Sequence, residues 1–209
     1  MTQPTPTAGR AASGERTTKE TSIRVAIDLD GPTGAVAVST GLPFFDHMLD
    51  QLGRHGGFDL TVDATGDLHV DGHHTVEDVG ILVGEVFRDA LGDKAGVRRF
   101  ASGLFPLDEA LIEVALDLSG RPFVVYDVPF GEVLPLGDPP FNPEMAEHFW
   151  QSFATAAGIT LHVENLYGEN NHHIAETCYK GLARALRLAV SLDPRQAGRV
   201  PSTKGTLAG

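Results

Sequence analysis

The sequence predicts an α+β fold: an internally duplicated ββαβ(β)α unit whose two copies give two four-stranded sheets flanking a helix layer. Three echoes carry that prediction. His73-His74-Thr75-Val76-Glu77 and His172-His173-Ile174-Ala175-Glu176 share the pattern His-His-x-x-Glu. Each is preceded by an acid–histidine pair, Asp46-His47 and Glu147-His148. Further upstream, Ile27-Asp28-Leu29-Asp30-Gly31 is matched by Leu116-Asp117-Leu118-Ser119-Gly120. Such self-similarity marks two diverged copies of one supersecondary unit, here running over about 22–98 and 105–193.

The elements follow in order. Residues 1–17 are rich in Thr, Ala, Gly and Pro and are expected to form a disordered extension. Ile23, Val25, Ile27 and Leu29 alternate with polar or small residues, the period of a half-buried strand. Gly31-Pro32 is a turn, and 34–39 is expected to return as the second arm of a hairpin. A helix follows over 42–52, with Pro43 in its first turn. Phe58, Leu60 and Val62 give a strand, and a short fourth strand is expected around 68–70. Val76, Val79, Val83, Val86 and Ala90 recur at helical spacing and stop at Gly92.

The second copy repeats this order with strands at 112–118 and 123–128, a helix at 144–157, a strand at 159–163 and a long helix at 173–192. The Pro-rich loop 133–143 is its clearest insertion. As domains, 18–98 and 99–193 are the two halves, packed as one body, and 194–209 is a C-terminal tail. Two such units bury their apolar faces by stacking helices between sheets.

Bulk properties exclude several classes. Over 209 residues the net charge is −12, which argues against nonspecific binding to nucleic acid or an anionic membrane. No apolar run reaches the roughly 18–20 residues of a membrane span. Residues 1–17 lack the apolar core of a signal peptide, and one cysteine, Cys178, fits a reducing compartment. A cytoplasmic location is expected, with Cys178 as buried filler.

The histidines carry the chemistry. Positions four apart share a helix face, so His73 and Glu77 can grip one ion, while adjacent His74 points about 100° away. A lone helical histidine is ordinarily a surface or hydrogen-bonded core residue. Six at equivalent repeat positions, with two matched glutamates, point instead to metal. Pseudo-symmetry suggests two sets: His73, Glu77, His148 and His173, and His172, Glu176, His47 and His74. Three imidazoles and a carboxylate suit Mn²⁺, Fe²⁺ or Co²⁺ with positions left open for catalysis. His55, His69 and His162 break the repeat and are expected only to cap or solvate. The tail Arg199-Val200-Pro201-Ser202-Thr203-Lys204-Gly205 offers hydroxyls, an ammonium and backbone N–H groups suited to a phosphate.

Phe44-Phe45-Asp46-His47-Met48-Leu49, Asp71-Gly72-His73-His74-Thr75-Val76-Glu77-Asp78 and Asn171-His172-His173-Ile174-Ala175-Glu176 closely resemble the imidazoleglycerol-phosphate dehydratase family, as do Thr18-Lys19-Glu20-Thr21 and Pro201-Ser202-Thr203-Lys204-Gly205. The resemblance runs from about Arg16 to the C-terminus and is weakest over 129–143. It implies dehydration of imidazole glycerol phosphate to imidazole acetol phosphate in histidine biosynthesis, with two Mn²⁺ per active site. It implies a 24-subunit shell with sites at subunit interfaces completed by neighbouring chains. It also points to Gln51, Arg99, Lys180, Ser202 and Lys204 for the phosphate, with Arg121 near the substrate and Glu20 among the substrate-binding residues.

The implied chemistry fits the residues. Lewis-acid ions on both ring nitrogens favour the imidazolate, which expels the hydroxyl to give a diazafulvene-like intermediate. Its side-chain hydrogen is then acidic enough to lose. Glu20 matches a family motif and is the expected base, with Glu77, Glu176 or a metal-bound water as alternatives. Two other readings use the same ligands: a dinuclear hydrolase, with ions about 3.5–4 Å apart around a bridging hydroxide, and a metal-storage or metal-assembled shell.

Overall fold

The computed structural model describes residues 9–132 and 134–207. Its elements are β1 (Ala11–Thr17), β2 (Thr21–Asp28), β3 (Val36–Ser39), α1 (Pro43–Gly56), β4 (Asp59–Gly66), α2 (His73–Leu91), β5 (Phe100–Leu107), β6 (Ala110–Asp117), β7 (Phe123–Asp127), α3 (Met145–Ala157), β8 (Thr160–Tyr167) and α4 (Asn171–Val190). One sheet has the order β1-β2-β4-β3 and the other β5-β6-β8-β7. Two four-stranded sheets thus enclose four helices, the predicted class. Among the described residues no helix is long and apolar enough to cross a membrane.

Inside each half the layout departs from expectation in three ways. Residues 11–17, placed in a disordered extension, form β1, antiparallel to β2 from Ala11↔Asp28 to Thr17↔Ser22; residues 1–8 lie outside the described residues. The strand escaped pattern reading because its sheet face carries Ala12 and Gly14 rather than large apolar side chains. Helix α2 crosses so closely that a β-carbon at Gly14 would meet Val86 at 3.0 Å and Leu82 at 3.1 Å. In the second half β5 was missed for a different reason: exposed Phe100 and Leu104 alternate with inward Phe105 and Leu107, so both of its faces are apolar. Residues 68–70, the expected fourth strand, are turn and loop instead.

The third departure concerns β3, which pairs only with β4, in parallel, from Val36↔Leu60 to Ser39↔Asp63. β3 does run antiparallel to β2, as the expected hairpin arm would, but β4 lies between them. Helix α1 returns the chain so that β4 starts in the same direction as β3, a βαβ crossover. β7, α3 and β8 repeat this arrangement.

The core is continuous between the halves. Phe45, Phe149, Trp150, Phe153 and Tyr179 are buried there, with Phe141 of the inserted loop stacked 5.8 Å from Phe45. Cys178 is buried, as expected. Helices α2 and α3 approach most closely: a β-carbon at Gly84 would lie 2.5 Å from the Phe153 carbonyl oxygen, and one at Gly80 would lie 2.8 Å from that of Phe149. Only glycine permits this separation, which fixes the relative positions of the residues at the helix starts.

Candidate metal centre

All eight predicted ligands lie in the first two turns of a helix, and the four helix starts converge. A β-carbon at Gly72, before α2, would touch Leu42 before α1 at 2.9 Å and Met145 of α3 at 3.4 Å. The Phe44 ring of α1 meets His172 of α4 edge-on at 5.0 Å. Local capping fixes the two His-His starts: Asp71 accepts from the His73 backbone N–H at 2.8 Å, and Asn170 accepts from His172 and His173 at 2.9 and 3.4 Å.

The tightest cluster is His47, His172 and Glu176, whose donor atoms all lie within 4.8 Å of one another. His172 Nε2 is 3.0 Å and His47 Nε2 3.6 Å from the same oxygen, Glu176 Oε2. The other carboxylate oxygen is 2.6 Å from Lys180 Nζ. Burial pushes the Glu176 carboxyl up, but Lys180, His47 and His172 together bring it below its ordinary value, so it is an anion ready for a cation. Gln51 Nε2 lies 3.4 Å from His47 Nδ1 and backs that ring. Two imidazoles and a carboxylate form a donor set that suits a first-row divalent ion.

The mirror half is looser. His73 Nε2 is 3.8 Å from Glu77 Oε2, and the His73 and His148 rings are 4.6 Å apart. Three of the four residues predicted for each ion are therefore brought together by one chain.

The fourth of each set is not. His74 and His173 turn roughly perpendicular to their neighbours, at 88° and 82°, and each is held by a carboxylate. His74 Nδ1 is 3.0 Å from Asp67 and His173 Nδ1 is 2.7 Å from Glu109. These contacts raise both imidazole pKa values. The same hydrogen bond from His173 is the main reason the Glu109 carboxyl is held at about 2.

Glu20 sits beside this end of the helix layer, in the β1–β2 turn, with its Oε2 3.9 Å from His74 Nδ1. The turn is built by Thr18, whose hydroxyl accepts from the backbone N–H groups of Glu20 and Thr21. Buried Asp78 on α2 then pins it, accepting from Arg16 Nε at 2.8 Å and the Thr21 hydroxyl at 2.6 Å. The turn is thereby tied to the helix that carries His73, His74 and Glu77.

The remaining predicted substrate contacts lie at the opposite end. Arg99 donates its backbone N–H to Ala189 near the end of α4, and α4 is about 30 Å long at 1.5 Å per residue. The Arg99 guanidinium is bidentate with Asp117 at 2.6 and 2.9 Å and donates to the Pro201 carbonyl at 2.7 Å. Ser202 and Lys204 share the tail loop that Arg99 anchors, the Ser202 hydroxyl accepting from the Lys204 backbone N–H at 3.2 Å. Arg121 is exposed in the turn before β7. One chain therefore splits the residues expected at the phosphate. Gln51 and Lys180 lie against the ligands His47 and Glu176, at the end that also holds Glu20, while Arg99, Ser202 and Lys204, with Arg121, lie at the other.

Sequence reading missed Asp67, Asp78, Lys94 and Glu109. Asp67 and Asp78 resemble any solvated acid in sequence, and Lys94 is a lysine in a loop. Glu109 left a signal: it precedes Asp117 by eight residues, as Glu20 precedes Asp28. Of the repeat-breaking histidines, His162 packs its ring 6.4 Å from Phe123 on the outer sheet face, and burial lowers the His55 pKa.

Comparison with known proteins finds close relatives of this chain. A family model described as imidazoleglycerol-phosphate dehydratase matches residues 40–186. The imidazoleglycerol-phosphate dehydratase of Azorhizobium caulinodans is 58% identical over 200 residues, covering 96% of this chain and 100% of that protein. That of Rhodopseudomonas palustris is 56% identical over the same shares. Crystal structures superpose as well: the Staphylococcus aureus enzyme with TM-score 0.78 at 30% identity, covering 88% of this chain and 99% of that one. The Pyrococcus furiosus enzyme, in complex with (S)-C348, gives TM-score 0.74 at 34% identity over 92% and 99%.

Proposed function

The chain belongs to the imidazoleglycerol-phosphate dehydratase family, a hydro-lyase of histidine biosynthesis, and from that premise we propose how its residues divide the work. His47, His172 and Glu176 hold one divalent ion, completed by His74 of a neighbouring copy. His73, Glu77 and His148 hold the second, completed by His173 of a neighbouring copy. Each ion, Mn²⁺ in this reading, supplies Lewis-acid polarisation of the substrate ring. With the ions bound, the ring nitrogens would be polarised so that the neighbouring hydroxyl could depart as water, and Glu20 would take the proton from the adjacent side-chain carbon. Gln51 and Lys180 orient His47 and Glu176. Arg99, Arg121, Ser202 and Lys204 bind the phosphate, and residues 18–98 and 99–193 act as one body with the tail 194–209 as its phosphate arm. The tail's last residues, 208–209, lie outside the described residues.

One observation carries this reading: the metal cluster and the phosphate arm stand at opposite ends of α4. That separation is far longer than a small phosphorylated imidazole, so one chain cannot serve both ends of one substrate molecule. A homo-oligomer in which the arm of one copy meets the metal end of another joins the two groups, and a 24-subunit shell is such an assembly. His74 and His173, turned away from their own half-sites, are placed for the same use. The metal-storage reading gives the arm no role, and the hydrolase reading is distinguished by ions about 3.5–4 Å apart around a bridging hydroxide.

Subunit mixing tests it. Glu176→Gln and Lys204→Ala chains are each expected to be inactive alone, because each lacks one half of every site. Unfolding and reassembling them together restores turnover, since some sites then combine an intact metal end with an intact arm. Mixed assemblies of native mass without turnover would contradict the shared site.

A further inference from the structure

The duplicated hairpin turns carry equivalent glutamates that have different partners. Glu20 and Glu109 occupy the same repeat position, each eight residues before the matched Asp28 and Asp117. Glu109 is fully engaged. Its Oε2 lies 2.7 Å from His173 Nδ1, and its Oε1 accepts backbone N–H groups of Glu169 and Asn170 at 3.2 and 2.8 Å. Glu20 lies 3.9 Å from the equivalent nitrogen of His74. That nitrogen is already occupied by Asp67, at 3.0 and 3.3 Å. The second half has no such aspartate, because Leu166 stands six residues before His172 where Asp67 stands six before His73.

We propose that Glu109 and Asp67 are positioning residues that fix the tautomer of His173 and His74, and that Asp67 thereby releases Glu20 for proton transfer. An ionised carboxylate can only accept, so the ring nitrogen facing it carries the proton. A neutral imidazole has one N–H, so the lone pair then resides on Nε2, the atom left to bind a cation. Carboxylates that hold a ligand histidine in this way set both its orientation and its basicity. Each second histidine has one, supplied by the β5–β6 turn in one half and by the β4–α2 loop in the other. The two halves solved one requirement with different residues, and only the first retains a glutamate free of it. This inference rests on the reading of His74 and His173 as ligands and Glu20 as base.

Titration of metal-stripped protein with Mn²⁺ alone, followed by calorimetry, tests it. Wild type is expected to show two classes of site. Glu109→Ala weakens one class about 10–100-fold, the usual cost of losing such a carboxylate. Glu109→Gln, whose amide oxygen still accepts the Nδ1 proton, recovers much of that loss. Asp67→Ala weakens the other class and provides an independent arm should Glu109→Ala fail to assemble. Glu20→Gln binds both ions as wild type does, while kcat falls steeply and KM changes little. Unchanged binding in both alanine variants, or loss of an ion in Glu20→Gln, overturns the proposal. Absence of Mn²⁺ binding by wild type would instead remove the ligand reading on which it rests.

Discussion

His172 Nε2 lies 3.0 Å from Glu176 Oε2, one helical turn along α4, and His47 brings its own Nε2 to 3.6 Å from that same oxygen. The oxygen is therefore the pivot of the cluster. In Glu176→Gln, a neutral amide replaces the anion, and Lys180 loses its ionic partner. The expected result is loss of the ion at this cluster and a fall in turnover of at least about 100-fold, the scale of one removed electrostatic contact in a reaction site. Metal content by elemental analysis, alongside steady-state rates, checks both.

Metal removal should loosen the particle as well as silence it. If each ion joins ligands from two copies, its binding free energy stabilises the interface by mass action. Light scattering after chelation is expected to show a lower particle mass that Mn²⁺ restores. A mass unchanged by chelation would mean the interfaces do not need the ion.

The Glu109–His173 pair gives the metal-free protein a pH signature. The Glu109 carboxyl is held at about 2 against an ordinary 4.5, so its contribution is present above 4.5 and is lost as pH falls toward 2. The His173 imidazole is raised above 6.5, so its contribution is present below 6.5 and is lost as pH rises through the raised value. The melting-temperature gap between wild type and Glu109→Ala, both metal-free, should be widest between about pH 4.5 and 6.5. A gap that grew steadily toward pH 9 would contradict the ion pair.

Much of this architecture was legible because helices advertise themselves. The 3.6-residue periodicity of α2 and α4 and the duplicated His-His-x-x-Glu placed the ligands, and three of each predicted four converge. The strands β1 and β5 were not legible by alternation: the inward face of β1 carries Ala12 and Gly14 beneath α2, and β5 carries apolar Phe100 and Leu104 on its outward face as well as Phe105 inward. Self-comparison could have found them: Ala12-Ser13-Gly14 recurs as Ala101-Ser102-Gly103. The direction of β3 relative to β2 was legible but its neighbour was not, because strand adjacency is a tertiary choice: β4 comes between the two. Asp67 and Glu109 were invisible for a further reason, as each meets its histidine only once loop and turn are folded onto the helix starts.

Helix spacing is the next point open to test. Alanine favours a helix over glycine by up to about 1 kcal/mol, but a β-carbon at position 84 would lie 2.5 Å from the Phe153 carbonyl oxygen. Overpacking of that kind costs about 1–3 kcal/mol and wins. Gly84→Ala is expected to lower the urea midpoint at fixed protein concentration. A raised midpoint would show that α2 and α3 can part without cost.

Lys94 links the body to the phosphate arm. It is buried, and its ammonium donates to the carbonyl oxygens of Leu118 and Leu207 at 3.1 and 3.3 Å. Arg99 holds Pro201 from the other side, so the segment carrying Ser202 and Lys204 is tied at both ends. Lys94→Met removes one tie and should raise KM several-fold while kcat changes little. A kcat collapse at unchanged KM would place the tail in the chemical step instead.

The central claim is that this chain dehydrates imidazole glycerol phosphate with metal held by the duplicated histidines. Its most direct test is turnover of that substrate by metal-stripped protein before and after Mn²⁺ is added, in wild type and in Glu77→Gln. The account predicts no product without metal, product once Mn²⁺ is restored, and none in Glu77→Gln under either condition. Equal turnover with and without metal, or full activity in Glu77→Gln, would contradict it.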